Sequence, residues 1–91
     1  MAEREVRRGL FMARLHLVLS AEEEVEFVAS HLEEITAQLA GDFDAQLRVP
    51  DRGPEWRMVP GVLQQLPYVV YAREMSETII ELRRINVLRP T

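Results

Sequence analysis

With 91 residues, of which 47% are apolar, the chain is long enough for one domain with a modest core. It has a formal net charge of −4 at pH 7 and no cysteine, which excludes disulfides, thiolate catalysis and cysteine-based zinc sites. No apolar run approaches the roughly 20 residues that a membrane span needs. Because Met1–Gly9 and the residues after it lack a signal-peptide pattern, we expect a cytoplasmic protein with no membrane partner.

The charge is distributed unevenly along the chain. Residues 21–44 contain eight acidic side chains and no arginine or lysine, whereas the rest of the chain contains all 11 basic residues, every one an arginine. An arginine-rich surface can bind phosphates or carboxylates. The simpler interpretation is that the lack of lysine reflects a GC-rich genome, and that the acidic stretch is a solvated face rather than a docking surface.

The first part of the chain is predicted to contain a polar terminus and one strand. Met1–Gly9, the start of the single domain 1–91, is charged and is expected to be flexible or weakly helical. Apolar and polar residues alternate in Leu10–Leu19, which indicates a half-buried strand. His16 would then lie on the surface or on a sheet face, and a role as a ligand is the less favoured alternative.

A long helix is predicted to follow. Ser20 and Glu23 have the spacing of a capping box, in which a serine N-cap and a glutamate three residues later satisfy each other's backbone N–H groups. Apolar residues then recur at helical spacing for about five turns, up to a stop at Gly41. His31 lies off the apolar stripe and is expected to be exposed. The stripe consists of Val25, Val28, Leu32, Ile35 and Leu39.

The middle of the chain leaves alternatives open. Alternating residues on both sides of the Pro50–Pro54 turn cluster predict an extra hairpin at 45–59, although a helical segment followed by one strand also fits. Trp56 beside Arg57 can stack on a nucleic-acid base, but packing is the more common role. Gly61–Leu66 can form a short strand or a turn of helix.

The last third predicts the centre of the sheet. Tyr68–Glu74 and Thr78–Val87 are rich in Val, Ile, Thr and Tyr and flank a short polar break, which is typical of an antiparallel hairpin. Both faces of the hairpin are apolar, which favours a central position. Ile80 and Leu82 are expected on one face, and Ile79, Ile85 and Val87 on the other.

These elements together predict an α+β fold. It consists of an antiparallel sheet of four to five strands, covered on one face by the long amphipathic helix, in the order β-α-β-β-β.

Three stretches near the carboxyl end resemble toxins of the RelE/ParE type. Val59–Leu63 is similar to the family's PGLREL strand, Pro67–Tyr71 to its PYRIVY strand, and Thr78–Ile85 to its TIEILRVLH strand. The run MARLHLVLS before the acidic SAEEE also resembles the family's first strand and helix start. The resemblance implies a bacterial toxin of a toxin–antitoxin module, whose partners are a cognate antitoxin and either DNA gyrase or the ribosome.

Two departures from the family pattern favour its ParE-like branch. The family's histidine after the last strand falls on Asn86, and the arginine of the PYRIVY strand is missing because Tyr68 is followed by Val69. General acid–base catalysis uses histidine most often, and arginine stays protonated at neutral pH. The expected function is therefore non-catalytic binding of a protein target such as DNA gyrase. A ribosome-dependent mRNA endonuclease of RelE type, and a non-catalytic interaction or assembly domain that forms homo-oligomers, remain alternatives.

The candidate partner-binding residues lie mostly near the end of the chain, where they can pair with carboxylates on the target or on the antitoxin. No catalytic residue, cofactor or metal is assigned, since two histidines on different elements do not make a metal site. The candidates are Arg57, Tyr71, Arg73, Arg83, Arg84 and Arg89.

Overall fold

The computed structural model describes residues 3–90, so the predictions for Met1, Ala2 and Thr91 fall outside the described residues. The described part contains three α-helices, two short 3-10 turns and five strands. In chain order these are β1 (Glu5–Arg7), α1 (Gly9–Arg14), a 3-10 turn (Leu15–Leu17), α2 (Ala21–Ser30), α3 (Leu32–Gly41), a second 3-10 turn (Phe43–Ala45), β2 (Leu47–Arg48), β3 (Trp56–Leu63), β4 (Leu66–Glu74) and β5 (Ile79–Val87).

The strands form one open sheet in the order β1-β5-β4-β3-β2. Strands β2 to β5 are antiparallel neighbours, as predicted, and β4 and β5 are central. Strand β1 joins β5 in parallel, with Glu5 opposite Ile79, so the sheet is mixed. The α+β class is thereby confirmed.

The β4–β5 hairpin contains a β-bulge that changes which residues are buried. Tyr71 pairs with Arg84 but Ala72 pairs with Leu82, so Arg83 is the extra residue of β5. The bulge returns Ile85 to the buried face. Ile85 and Val87 were both predicted on the face opposite Ile80 and Leu82, and this prediction is wrong. Ile85 is buried, and Val87 packs against the core.

The other two hairpins resolve the open alternatives in the middle of the chain. Leu47 and Arg48 pair with Met58 and Arg57, so the hairpin at 45–59 is present and the helical alternative is wrong. The β3–β4 turn consists of Gln64 and Gln65, whose φ angles of 50° and 69° are those a two-residue type I′ turn requires. The segment Gly61–Leu66 is therefore strand and turn.

The prediction for the amino-terminal part is wrong in two places. Leu10–Leu17 is α-helix and 3-10 turn rather than a strand, and Phe11, Leu15 and Leu19 are buried at a spacing of four residues. A spacing of four residues puts side chains on one face of a helix as well as on one face of a strand, so the pattern fits both. Glu5–Arg7, expected to be flexible or weakly helical, forms β1.

The acidic helical region begins as predicted but is divided. Ser20 Oγ accepts from the Glu23 N–H at 3.2 Å, and Glu23 Oε1 accepts from the Ser20 N–H at 2.8 Å, which confirms the capping box. The predicted single helix is two, α2 and α3, separated at His31. Val25 is 69% exposed, and Phe27 is buried instead.

His31 is half-buried rather than exposed, because its Nδ1 lies 2.9 Å from the Tyr68 hydroxyl oxygen. Buried side chains of all three helices and of the strands form one core cluster, so no single long helix provides the cover. None of the helices within residues 3–90 has the length and apolar character needed to cross a membrane.

Candidate anion-binding groove

A groove of about 670 Å³ lies on the face of the sheet opposite the core. Side chains alternate along β4, so Val70 and Ala72 enter the core while Tyr71 and Arg73 point to the groove. Five arginines and two aromatic rings account for most of the wall, which Val49 and Pro50 complete. The arginines are Arg14, Arg52, Arg73, Arg83 and Arg84, and the rings are those of Trp56 and Tyr71.

Strand register brings these side chains together from distant parts of the sequence. Trp56 on β3 lies opposite Arg73 on β4, and Tyr71 on β4 lies opposite Arg84 on β5. The bulge lets the consecutive residues Arg83 and Arg84 both line the groove. The end of α1 and the β2–β3 loop supply the two remaining arginines.

The guanidinium groups are held against the aromatic rings. The Cζ atoms of Arg52, Arg73 and Arg83 lie 4.9, 5.8 and 5.9 Å from the centre of the Trp56 ring. The Cζ atom of Arg84 lies 5.1 Å from the centre of the Tyr71 ring. These are cation–π distances, and such contacts orient the cations without neutralising their charge.

Four of the five groove arginines have no carboxylate partner among residues 3–90. Arg83 pairs with Glu81, whereas Arg14, Arg52, Arg73 and Arg84 form no ion pair with any described acidic residue. The Arg73 Nε atom is also buried without a hydrogen-bond partner.

Most arginines outside the groove are paired. The ion-paired ones are Arg4, Arg7, Arg8, Arg57 and Arg89, whereas Arg48 forms no ion pair with an acidic residue in the described part of the chain. Acidic residues outnumber basic ones 15 to 11 in this chain. Carboxylates are thus available in the chain, yet most groove arginines are not paired with them, and guanidinium groups of this kind can bind an anion.

The structure brings together four of the six predicted site residues, namely Tyr71, Arg73, Arg83 and Arg84. It places the other two elsewhere. Arg57 points to the core side and is only 4% exposed, and its guanidinium donates to the Trp56 carbonyl at 2.8 Å and to the Pro54 carbonyl. Its guanidinium also lies 3.6 Å from the Asp44 carboxylate and 5.0 Å from the centre of the Phe43 ring, so Arg57 links β3 to the 3-10 turn before β2.

Arg89, which follows β5, forms an ion pair with Glu23 at the start of α2. Its two terminal nitrogens donate to the Glu23 carboxylate at 2.7 and 3.0 Å, and one of them also donates to the Val18 carbonyl at 2.7 Å. The hydrogen bond from Arg89, followed by that from the Ser20 N–H, lowers the pKa of Glu23 to about 2. Arg89 therefore supports the fold and does not reach the groove.

Sequence reasoning missed Arg14 and Arg52 as site residues and favoured packing for Trp56. Arg14 was placed on a supposed strand, and Arg52 in a turn whose direction was unknown. Only the fold brings them to β4 and β5.

The groove can bind anions but offers little for acid–base catalysis. Its described wall contains no carboxylate and no imidazole, and arginine does not exchange protons at neutral pH. Within residues 3–90, no three His, Asp or Glu side chains come together as metal ligands.

No protein-family model matches the chain, and comparisons with curated proteins and with solved structures gave no match. The groove and the sequence resemblance are therefore the two grounds for a functional assignment.

Proposed function

We propose that this protein is the toxin of a toxin–antitoxin module, of the ParE-like type, and that it acts by binding a protein target such as DNA gyrase. The observation that carries the proposal is the group of unpaired arginines in the groove. Carboxylates of a protein partner would form bidentate ion pairs with these arginines. The same group would be neutralised by an acidic antitoxin.

The order of elements is compatible with this assignment. One strand and helices precede the antiparallel strands, but that strand is Glu5–Arg7, and the run MARLHLVLS that resembles the family's first strand is helix and turn. The strands that carry the resemblance, β3 to β5, are also the strands that position Trp56, Tyr71, Arg73, Arg83 and Arg84. The absence of a carboxylate or imidazole from the described groove wall favours binding over cleavage.

An mRNA endonuclease of RelE type is the second candidate, because one observation favours it. Trp56 and Tyr71 lie among arginines in an open groove, and single-stranded RNA is commonly bound by bases that stack on aromatic rings beside arginine. Among the described groove residues, the Tyr71 hydroxyl would then be the one group able to act as an acid or a base, because the guanidinium groups stay protonated.

Two assays with the purified protein separate the candidates. The ParE-like assignment predicts that the protein inhibits DNA supercoiling by gyrase and leaves translated mRNA intact in a ribosome system. Cleaved mRNA with unaffected gyrase would support the RelE-type candidate instead. If neither assay responds and expression leaves host growth unchanged, the toxin assignment fails and a non-catalytic assembly domain becomes the better description.

A further inference from the structure

A second, apolar cleft opens beside the groove. It has a volume of about 260 Å³ and lies between β5 and the segment formed by α1 and the first 3-10 turn. Phe11, Leu15 and Ile85 are its buried apolar residues, while Leu17 and Val18 are 72% and 36% exposed. At this size the cleft falls below the roughly 300–1,000 Å³ of pockets that hold whole drug-sized ligands, so it suits a single side chain.

The cleft and the groove share three of their lining residues. Arg14, Arg83 and Arg84 line both of them, which places three guanidinium groups at the junction. Two of the three, Arg14 and Arg84, form no ion pair with a described acidic residue. A ligand that spans the junction would meet an apolar surface on one side and unpaired cations on the other.

We infer that the partner segment is an acidic stretch of polypeptide that inserts one aliphatic side chain into the cleft and places neighbouring carboxylates on Arg14 and Arg84. This inference rests on the proposed function and specifies the chemistry of its partner. A polypeptide can carry an aliphatic anchor beside carboxylates, whereas a polynucleotide supplies phosphates but no aliphatic group for the cleft. The unpaired arginines thus require an acidic ligand, and the apolar cleft beside them favours a protein segment over RNA.

The chain contains a built-in reporter for this binding. Trp56 is its single tryptophan and lies in the groove wall, so ligand binding there changes its fluorescence. The probes are a short peptide of glutamate and glycine with one central leucine, the same peptide with serine in place of leucine, and oligouridylate. We expect the leucine peptide to bind about tenfold more tightly than the serine peptide, which is the effect of burying one leucine side chain.

Protein variants test whether the anchor enters the cleft. Leu17→Ser is expected to weaken binding of the leucine peptide and to leave binding of the serine peptide unchanged. The substitution in the protein and the one in the peptide are therefore coupled in a double-mutant cycle. Val25→Ser is the matched control, because Val25 is equally exposed but lies on α2 outside the cleft. Both positions are on the surface, so both variants are expected to fold, as circular dichroism will verify.

The outcomes separate this inference from the proposed function. The inferred aliphatic anchor is wrong if the two peptides bind with equal affinity, or if Val25→Ser loses as much affinity for the leucine peptide as Leu17→Ser does. In either case the groove remains a site for acidic protein segments. Binding of oligouridylate without binding of either peptide at millimolar concentration overturns both.

Discussion

Arg83 and Arg84 are consecutive residues of β5, yet both line the same groove, because Arg83 is the extra residue of a bulge opposite Tyr71. Regular alternation would place one of the two in the core. Leu82 before them and Ile85 after them are both buried. The bulge therefore adds a cation to the groove while Leu82 and Ile85 on either side of the arginine pair both remain buried.

Deletion of Arg83 should leave the fold intact. The deletion makes Leu82 and Arg84 neighbours, and their present partners Ala72 and Tyr71 are already neighbours, so pairing becomes regular and the buried face stays the same. We expect the free energy of unfolding to change by about 1 kcal/mol or less, measured by urea unfolding.

Deletion of Val69 is the control for this experiment. Val69 separates the buried residues Tyr68 and Val70 and is itself paired in regular register with Pro60 and Asn86, so its removal forces one of the two buried residues out of the core. Loss of cooperative unfolding is expected for this variant. If deleting Arg83 is as damaging as deleting Val69, the bulge does not have the role assigned to it.

Substitution should separate the structural arginine from the groove arginine. Arg57→Ala removes the donor to the Trp56 and Pro54 carbonyls and is expected to cost about 1–3 kcal/mol of stability. Arg84→Ala is expected to change stability by about 0.5 kcal/mol or less, since Arg84 is exposed and forms no ion pair with a described residue. Chemical unfolding of both variants tests this, and equal costs would argue against the division of roles.

Gly61 provides the room in which Tyr68 is buried. A Cβ atom added at Gly61 would lie 2.3 Å from the Tyr68 hydroxyl oxygen, and Tyr68 is held by the core and by His31. Gly61→Ala is therefore expected to destabilise the protein by about 1–3 kcal/mol. Gly41→Ala is the matched control, because a Cβ there meets nothing within 4 Å and alanine favours the helix. A thermal unfolding midpoint that falls in both variants would contradict this explanation.

The Glu23–Arg89 pair predicts a loss of stability in acid. The folded-state pKa of Glu23, about 2, is below its usual value of 4.5, so the folded state favours the ionised carboxylate. This contribution is complete above about pH 4.5 and is lost as the pH falls from there through about 2. Glu23→Gln should therefore show a smaller loss of stability across this range than the native chain.

Urea unfolding at several acidic pH values measures this difference, and Glu22→Gln is the control because Glu22 is exposed at the same end of α2. An NMR titration of the Glu23 carboxyl gives the pKa directly. A midpoint near 4.5, or no difference between the Glu23 and Glu22 variants, would contradict the stabilising role of the pair.

The central hairpin and the capping box were predictable because their signals are local. The β-branched runs of β4 and β5 and the Ser20–Glu23 spacing each specify their own structure. β1 was missed because three residues, two of them charged, form a strand only by pairing with β5, which is more than 70 residues away. The alternation in Leu10–Leu19 was misleading because Phe11, Leu15 and Leu19 also fit a helix.

The candidate site was predictable only in part. Arg73, Arg83, Arg84 and Tyr71 belong to the hairpin that was predicted, so their proximity followed from it. The bulge cannot be inferred from the sequence, because nothing in the residues around Arg83 distinguishes an extra residue from an alternating one. The internal roles of other arginines depend on contacts between distant segments, such as that of Arg89 with Glu23.

Growth of a bacterial host that expresses the protein tests the central claim most directly. We predict that the native chain arrests growth and that Arg83→Ala combined with Arg84→Ala abolishes the arrest at equal expression. The control, Arg7→Ala combined with Arg48→Ala, removes two exposed arginines that do not line the groove, and it should remain fully toxic. Full toxicity of the groove variant, or equal loss of toxicity in the control, would contradict the assignment of the groove as the site that binds the target.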